Sequence, residues 1–129
     1  PNIPQEGKRI IGYRQALTLD HKPESMIVVG SGAIGSELAY FYNAMGTKVL
    51  LVEFMPTILP LEDEEVSKQV GRSFKKAGID VMVKSSVESV ESGEGLLKVN
   101  IKNKKGEIEV SCCLPWVSPR TWKTSVWKN

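Results

Sequence analysis

Glycines stand at positions 30, 32 and 35, directly after the apolar run "MIVV" and before a run of helical pattern. A glutamate, Glu53, closes the next apolar run, 23 residues after Gly30. A GxGxxG spacing is weak alone, because glycines and turns are common. It gains meaning when a strand precedes it, a helix follows it and an acid comes about 20 residues on. Each glycine then serves a different end. Gly30 permits the tight turn, Gly32 the close approach of a pyrophosphate, and Gly35 the packing of helix on strand. The unpaired first-turn N–H groups and the helix dipole hold a phosphate diester without a lysine. Gly30, Ser31, Gly32, Ala33 and Gly35 are therefore the candidate phosphate loop. Glu53, with Phe54 after it, is placed to accept hydrogen bonds from an adenosine ribose. A carboxylate repels a 2′-phosphate, and no Arg or Lys follows at Phe54, Met55, Pro56 or Thr57. The expected ligand is NAD rather than NADP.

These residues need particular elements to carry them. "SMIVVG" is short, β-branched and apolar, as a buried parallel strand is. Apolar positions then recur at helical spacing: Ile34, Leu38, Phe41, Tyr42 and Met45, with Gly46 as the stop. "KVLLVEF" predicts a second buried strand. Residues 62–76 predict a second helix whose apolar face is Val66, Val70 and Phe74. Its acidic start (Glu62, Asp63, Glu64, Glu65) and basic end (Lys75, Lys76) complement the dipole. Gly78 ends it, and "IDVMV" is a third strand. The sum is a βαβαβ parallel unit, half of a doubly wound Rossmann-like α/β fold. Three partly alternating runs follow, "SVESV", "LLKVNIK" and "EIEVS". Turns at Gly93, Gly95 and Gly106 make them an antiparallel three-stranded meander.

The chain has 129 residues, 41% hydrophobic and 25% charged, with a net charge of +2. That suits a globular domain and gives no argument for nucleic acid or membrane. No apolar run is long enough to span a bilayer. No export signal is visible, and Pro1 is not a natural start, so the chain reads as a fragment or processed product. Residues 1–24 are mostly polar, with Pro4, Pro23 and a short helix expected over 14–19; they read as a linker. Residues 25–111 read as the nucleotide-binding domain.

The run "GSGAIGSELAYFYNAMGTKVLLVEFMPTILPLEDEEVSKQVGRSFKKAGIDVM" resembles the NAD-binding domain of the dihydrolipoamide dehydrogenases, in the pyridine nucleotide–disulfide oxidoreductase superfamily. The likeness covers residues 1–111, including the lead-in "KRIIGYRQALTLDHKPESM". It rests on GxGxxGxE, the strand-end "VE" and "KKAGIDV". The resemblance implies that 1–24 joins an FAD domain to this one. It implies that Ile34 lies where nicotinamide and flavin meet, that Glu37 lies near the nicotinamide, and that Val87 lines the adenine pocket. The residues themselves leave packing open for Ile34 and Val87, and a plain surface carboxylate for Glu37. For the whole enzyme it implies FAD, a homodimer, a 2-oxoacid dehydrogenase complex, and a cytoplasmic or mitochondrial-matrix location. Two other readings stay open: the NAD domain of another flavoprotein disulfide reductase or NADH oxidase, and a non-catalytic nucleotide-binding module.

The family's redox CxxxxC, its acid–base histidine and its FAD-binding glycine loop have no counterpart here. Cys112 and Cys113 are adjacent, and His21, the only histidine, sits in the linker beside Lys22 and Pro23. No catalytic residue and no metal site are expected in this chain, only NAD(H) binding as part of a larger flavoenzyme.

Residues 112–129 stand apart. All three tryptophans and both cysteines follow Ser111. The family closes its sheet at this point with a parallel strand, where this chain has Pro115, which argues against a regular strand. Codons for this tail, read from the third base of the Ser111 codon, can spell "LLSAVGIAPNLENIGLEE", the strand and Pro-Asn of the family pattern. The unique tryptophan codon forces Gly at the 116–117 junction and Glu at 122–123 and 127–128. Residues 112–129 thus read as an atypical tail, either out of frame or a genuinely divergent C-terminus.

Overall fold

The computed structural model describes residues 9–93 and 95–112, and the backbone of 116–118. Strands β1 (Ile10–Gly12), β2 (Ser25–Val29), β3 (Lys48–Val52), β4 (Asp80–Met82) and β8 (Trp116–Ser118) form one parallel sheet, ordered β1-β8-β2-β3-β4. Strands β5 (Ser86–Ser92), β6 (Leu97–Asn103) and β7 (Gly106–Cys112) form a separate antiparallel sheet. Helices α1 (Tyr13–Ala16), α2 (Ala33–Ala44) and α3 (Glu64–Ala77) complete the described elements. This is the α/β architecture expected, with both the parallel unit and the meander.

The apolar strands are buried on both faces, and alternate side chains go to different cores. Ile11, Met26, Val28, Val49 and Leu51 pack with Leu38, Ala39, Tyr42 and Phe74 of the helices. Their neighbours Ile10, Ile27, Val29 and Val52 pack with Val87, Leu97, Val99, Ile101 and Cys112 of the meander. The result is three layers: helices, parallel sheet, antiparallel sheet. A one-residue slip in β2 would exchange its two cores, so its register is strongly specified.

Three expectations are corrected in detail. The lead-in is not only a polar connector: Ile10 and Ile11 are buried, β1 is an edge strand of the parallel sheet, and the short helix covers Tyr13–Ala16. In α2, Phe41 and Met45 are exposed, while the small residues Gly35, Ser36 and Ala39 turn inward and let the helix lie close to the sheet. In α3, Phe74 is buried and Val70 partly so, but Val66 is exposed and Ser67 takes the inward place. There Ser67 Oγ donates to the Leu59 carbonyl oxygen at 3.1 Å, which satisfies the buried hydroxyl.

The closing strand departs from expectation too. The backbone of β8 lies in the slot between β1 and β2 and pairs with both. Among the described residues its pairing with β2 is Ile27↔Trp116 and Val28↔Val117, whereas β3 pairs with β2 over five residues. Pro115, Cys113 and residues 119–129 lie outside the described residues.

Candidate functional site

The candidate residues lie at the carboxyl ends of β2 and β3, where open α/β sheets place ligands. The chain leaves β2 through Gly30, whose φ of +100° is a left-handed conformation that glycine adopts without strain. Its N–H donates to the Val52 carbonyl oxygen at 2.8 Å, fastening the turn to β3. Gly32 is the N-cap of α2, and no side chain caps that helix. The N–H groups of Ala33, Ile34 and Gly35 thus have no acceptor one turn back. No acidic residue occupies the first turn of α2 to compete with an anion. A Cβ added at Gly32 would meet nothing within 4 Å. The loop therefore offers open space above free amides at the positive end of a twelve-residue helix. The donor set fits a diphosphate.

Glu53 follows β3 and is buried, with 2% of its surface exposed. Its side chain turns toward the glycine loop. Oε2 accepts from Ser31 N–H at 2.7 Å and from Ser31 Oγ at 2.6 Å. Oε1 accepts from Met55 N–H at 2.8 Å. Charge-assisted bonds of this kind keep a carboxylate buried. Its backbone is fixed as well: Glu53 N–H donates to Met82 O, and its carbonyl accepts from Ser85 N–H.

The other candidates are placed as follows. Gly32 and Ala33 are exposed, and Ser31 is fully buried. Ile34 is half-buried and packs against the helix-side core. Glu37 is exposed on α2, and Phe54 is exposed beside Glu53. Val87 has no exposed surface and sits in the meander-side core. The fold thus brings Gly30–Gly35, Glu53 and Phe54 together and buries Val87 among apolar side chains. His21 is exposed, with Nδ1 2.5 Å from Asp20 Oδ1.

Sequence reasoning missed the polar frame behind the loop. Ser36 Oγ donates to the Ser31 carbonyl oxygen at 3.0 Å. Leu59 N–H is shared between Ser31 O at 3.0 Å and Ser31 Oγ at 3.2 Å. Leu59 holds a φ of +47° and Lys84 one of +50°, uncommon for residues with side chains. Lys84 N–H donates to Met55 O. Both conformations serve the segment after Glu53. Ser36 and Ser67 stand at inward helical positions, and that pattern was the available signal.

A glycine turn, a helix N-terminus and a strand-end acid on a parallel sheet make up a Rossmann-type α/β domain. The family model described as "Pyridine nucleotide-disulphide oxidoreductase" matches residues 1–120, and the chain belongs to that family. Among similar proteins, a dihydrolipoyl dehydrogenase of Chlorobaculum tepidum is 50% identical over 94 residues, covering 73% of this chain and 20% of the relative. One from Chlorobaculum parvum is 44% identical over 117 residues, covering 88% and 25%. The crystal structure of LpdA from Mycobacterium tuberculosis superposes with a TM-score of 0.77 at 28% identity, over 91% of this chain and 26% of that one. The chain thus spans a fifth to a quarter of the curated relatives it matches. Among the described residues no helix is long and apolar enough to cross a membrane.

Proposed function

We propose that this chain is the NAD(H)-binding part of a dihydrolipoamide dehydrogenase. The observation that carries the reading is the juxtaposition of an uncapped glycine-loop helix with a buried acid bonded back to that loop. The pyrophosphate would lie on the amides of Ala33 and Ile34, over Gly32. A carboxylate has about four acceptor positions. Three are used on Glu53, two on Oε2 and one on Oε1. The position left on Oε1 would take a ribose hydroxyl. Phe54 would flank the adenosine, Ile34 and Glu37 would face the nicotinamide end, and Val87 would support the wall from behind. NAD is preferred over NADP because Glu53 is anionic and nothing cationic follows it.

In the whole enzyme, electrons would pass from dihydrolipoamide through a disulfide and FAD to NAD⁺. Those groups, a homodimer partner and a 2-oxoacid dehydrogenase complex belong to the remainder of the protein. This chain alone would bind but not turn over. The exposure of Leu17, Tyr40, Phe41 and Leu61 is in keeping with surfaces that further domains cover. The location would be cytoplasm or mitochondrial matrix. Residues 1–24 would join the FAD domain, and 112–129 would be an out-of-frame replacement of the native end. The test is NADH titration of the 129-residue chain by nicotinamide fluorescence, beside a lipoamide assay. Saturable binding without turnover is expected. A folded chain that leaves NADH fluorescence unchanged at millimolar concentration would refute the reading.

A further inference from the structure

We propose that Ser31 is a positioning residue that fixes the Glu53 carboxylate and thereby sets the discrimination against a 2′-phosphorylated dinucleotide. The proposal rests on the nucleotide-binding reading above and names the residue that makes it selective.

Ser31 has no exposed surface and turns its side chain toward the protein. All three of its polar groups are spent on the protein. Its N–H and Oγ both donate to Glu53 Oε2, at 2.7 and 2.6 Å. Its carbonyl accepts from Ser36 Oγ and from Leu59 N–H, and its Oγ also accepts from Leu59 N–H. Ser31 therefore joins three segments: the first turn of α2 through Ser36, the end of β3 through Glu53, and the following loop through Leu59. Leu59 is held in its left-handed conformation from both sides, by Ser31 at its N–H and by Ser67 at its carbonyl.

This geometry makes Glu53 asymmetric. Oε2 is filled from Ser31, and Oε1 keeps one position beyond Met55 N–H. Only one carboxylate oxygen can serve a ribose hydroxyl, and its direction is set by the two bonds on the other. Removing the Ser31 hydroxyl leaves Oε2 with a single backbone donor. The carboxylate then has room to turn and hydrate. A turned, hydrated carboxylate is a poorer ribose acceptor. It also repels a phosphate at the 2′ position less, because water screens it. Position and charge are both needed for selectivity, and Ser31 supplies the position.

The experiment measures NADH and NADPH dissociation constants and the melting temperature on the 129-residue chain. In S31A the NADH constant should rise about tenfold, and the NADPH/NADH ratio should fall toward one, because the lost bond is to a charged group. S36A loosens the same frame without touching Glu53. It should lower the melting temperature while keeping the wild-type ratio. An S31A protein with the wild-type ratio overturns the proposal, as does S36A losing the ratio equally. Should S31A fail to melt cooperatively, E53D carries the test. It keeps the charge but withdraws it from Ser31, and a retained ratio there is equally fatal. Wild-type chain that binds neither nucleotide fails the underlying reading instead, a different result from binding without the predicted loss.

Discussion

Gly35 and Gly30 lie so close that a Cβ on Gly35 would stand 1.9 Å from the Gly30 carbonyl oxygen. The obstacle is backbone at the tightest point of the loop, not the end of a flexible side chain. The helix approaches the strand only because position 35 has no side chain, and that approach places the α2 amides over the crevice.

Two glycine variants should therefore behave oppositely. Gly35→Ala must push α2 away from β2 and should cost about 1–3 kcal/mol, with loss of NADH binding. Gly32→Ala meets open space at an ordinary φ of −63°, so the fold should survive with little change in melting temperature. Its methyl group occupies ligand space, and NADH affinity should fall without loss of stability. Calorimetry and fluorescence titration on both variants check the contrast. Equal melting temperatures for the two would contradict the packing role assigned to Gly35.

Glu53→Gln tests the buried acid. The amide must turn its NH₂ toward either Ser31 N–H or Met55 N–H, since each oxygen now accepts from one of them. Two donors then face each other in a buried site. The expected loss is about 1–3 kcal/mol in chemical denaturation, the cost of an unsatisfied buried donor. NADPH should gain relative to NADH, because the repelling charge is gone. A variant as stable as the wild type would mean that the carboxylate bonds contribute nothing net.

Much of this was legible in the sequence, for identifiable reasons. Periodicity and glycine punctuation located the strands and helices of the parallel unit and the turns of the meander. The glycine spacing and strand-end glutamate picked out residues that the fold brings side by side, Ser31 and Glu53 among them. What stayed hidden depends on contacts distant in sequence. Ile10 and Ile11 form a strand too short to show a pattern, and it has a partner only because β8 lies beside it. Ser31 looked like a loop residue supplying an amide, but a carboxylate 22 residues away claims both of its donors. The apolar face of α3 was misplaced at its start: Ser67, bonded to the Leu59 carbonyl, faces inward, and Val66 stays exposed.

Tyr42 provides a pH-dependent prediction. It is buried on α2, and its hydroxyl donates to the carbonyl of Ala16, at the end of α1. Burial raises its pKa above the ordinary tyrosine value. A raised value in the folded state means that the stabilisation is complete below the unfolded value, near pH 10. It is lost as pH rises from there through the folded value. Tyr42→Phe should cost about 1 kcal/mol at neutral pH, from the lost hydrogen bond. The difference between the two proteins should shrink above about pH 10. Urea denaturation at several pH values checks this, and a constant difference into strong alkali would contradict it.

The end of the chain gives the last prediction. Strand β8 occupies a central slot, yet it is three residues long and meets β2 over two. Among the described residues, Ser25, Met26 and Val29 of β2 have no β8 partner. A shifted reading frame can spell a replacement, "LLSAVGIAPNLENIGLEE", which would place a longer apolar run where residues 111–116 now stand. A chain carrying that ending should extend the pairing with β2. A gain of about 1 kcal/mol would appear as a rise in melting temperature of about 4–8 °C. NADH affinity should rise with it, because β8 borders the strand that leads into the glycine loop. The coding DNA gives an independent check. An intact frame across codons 108–114, compared with an undisturbed relative, would exclude a frameshift, and an unchanged melting temperature would show that the present ending already closes the sheet.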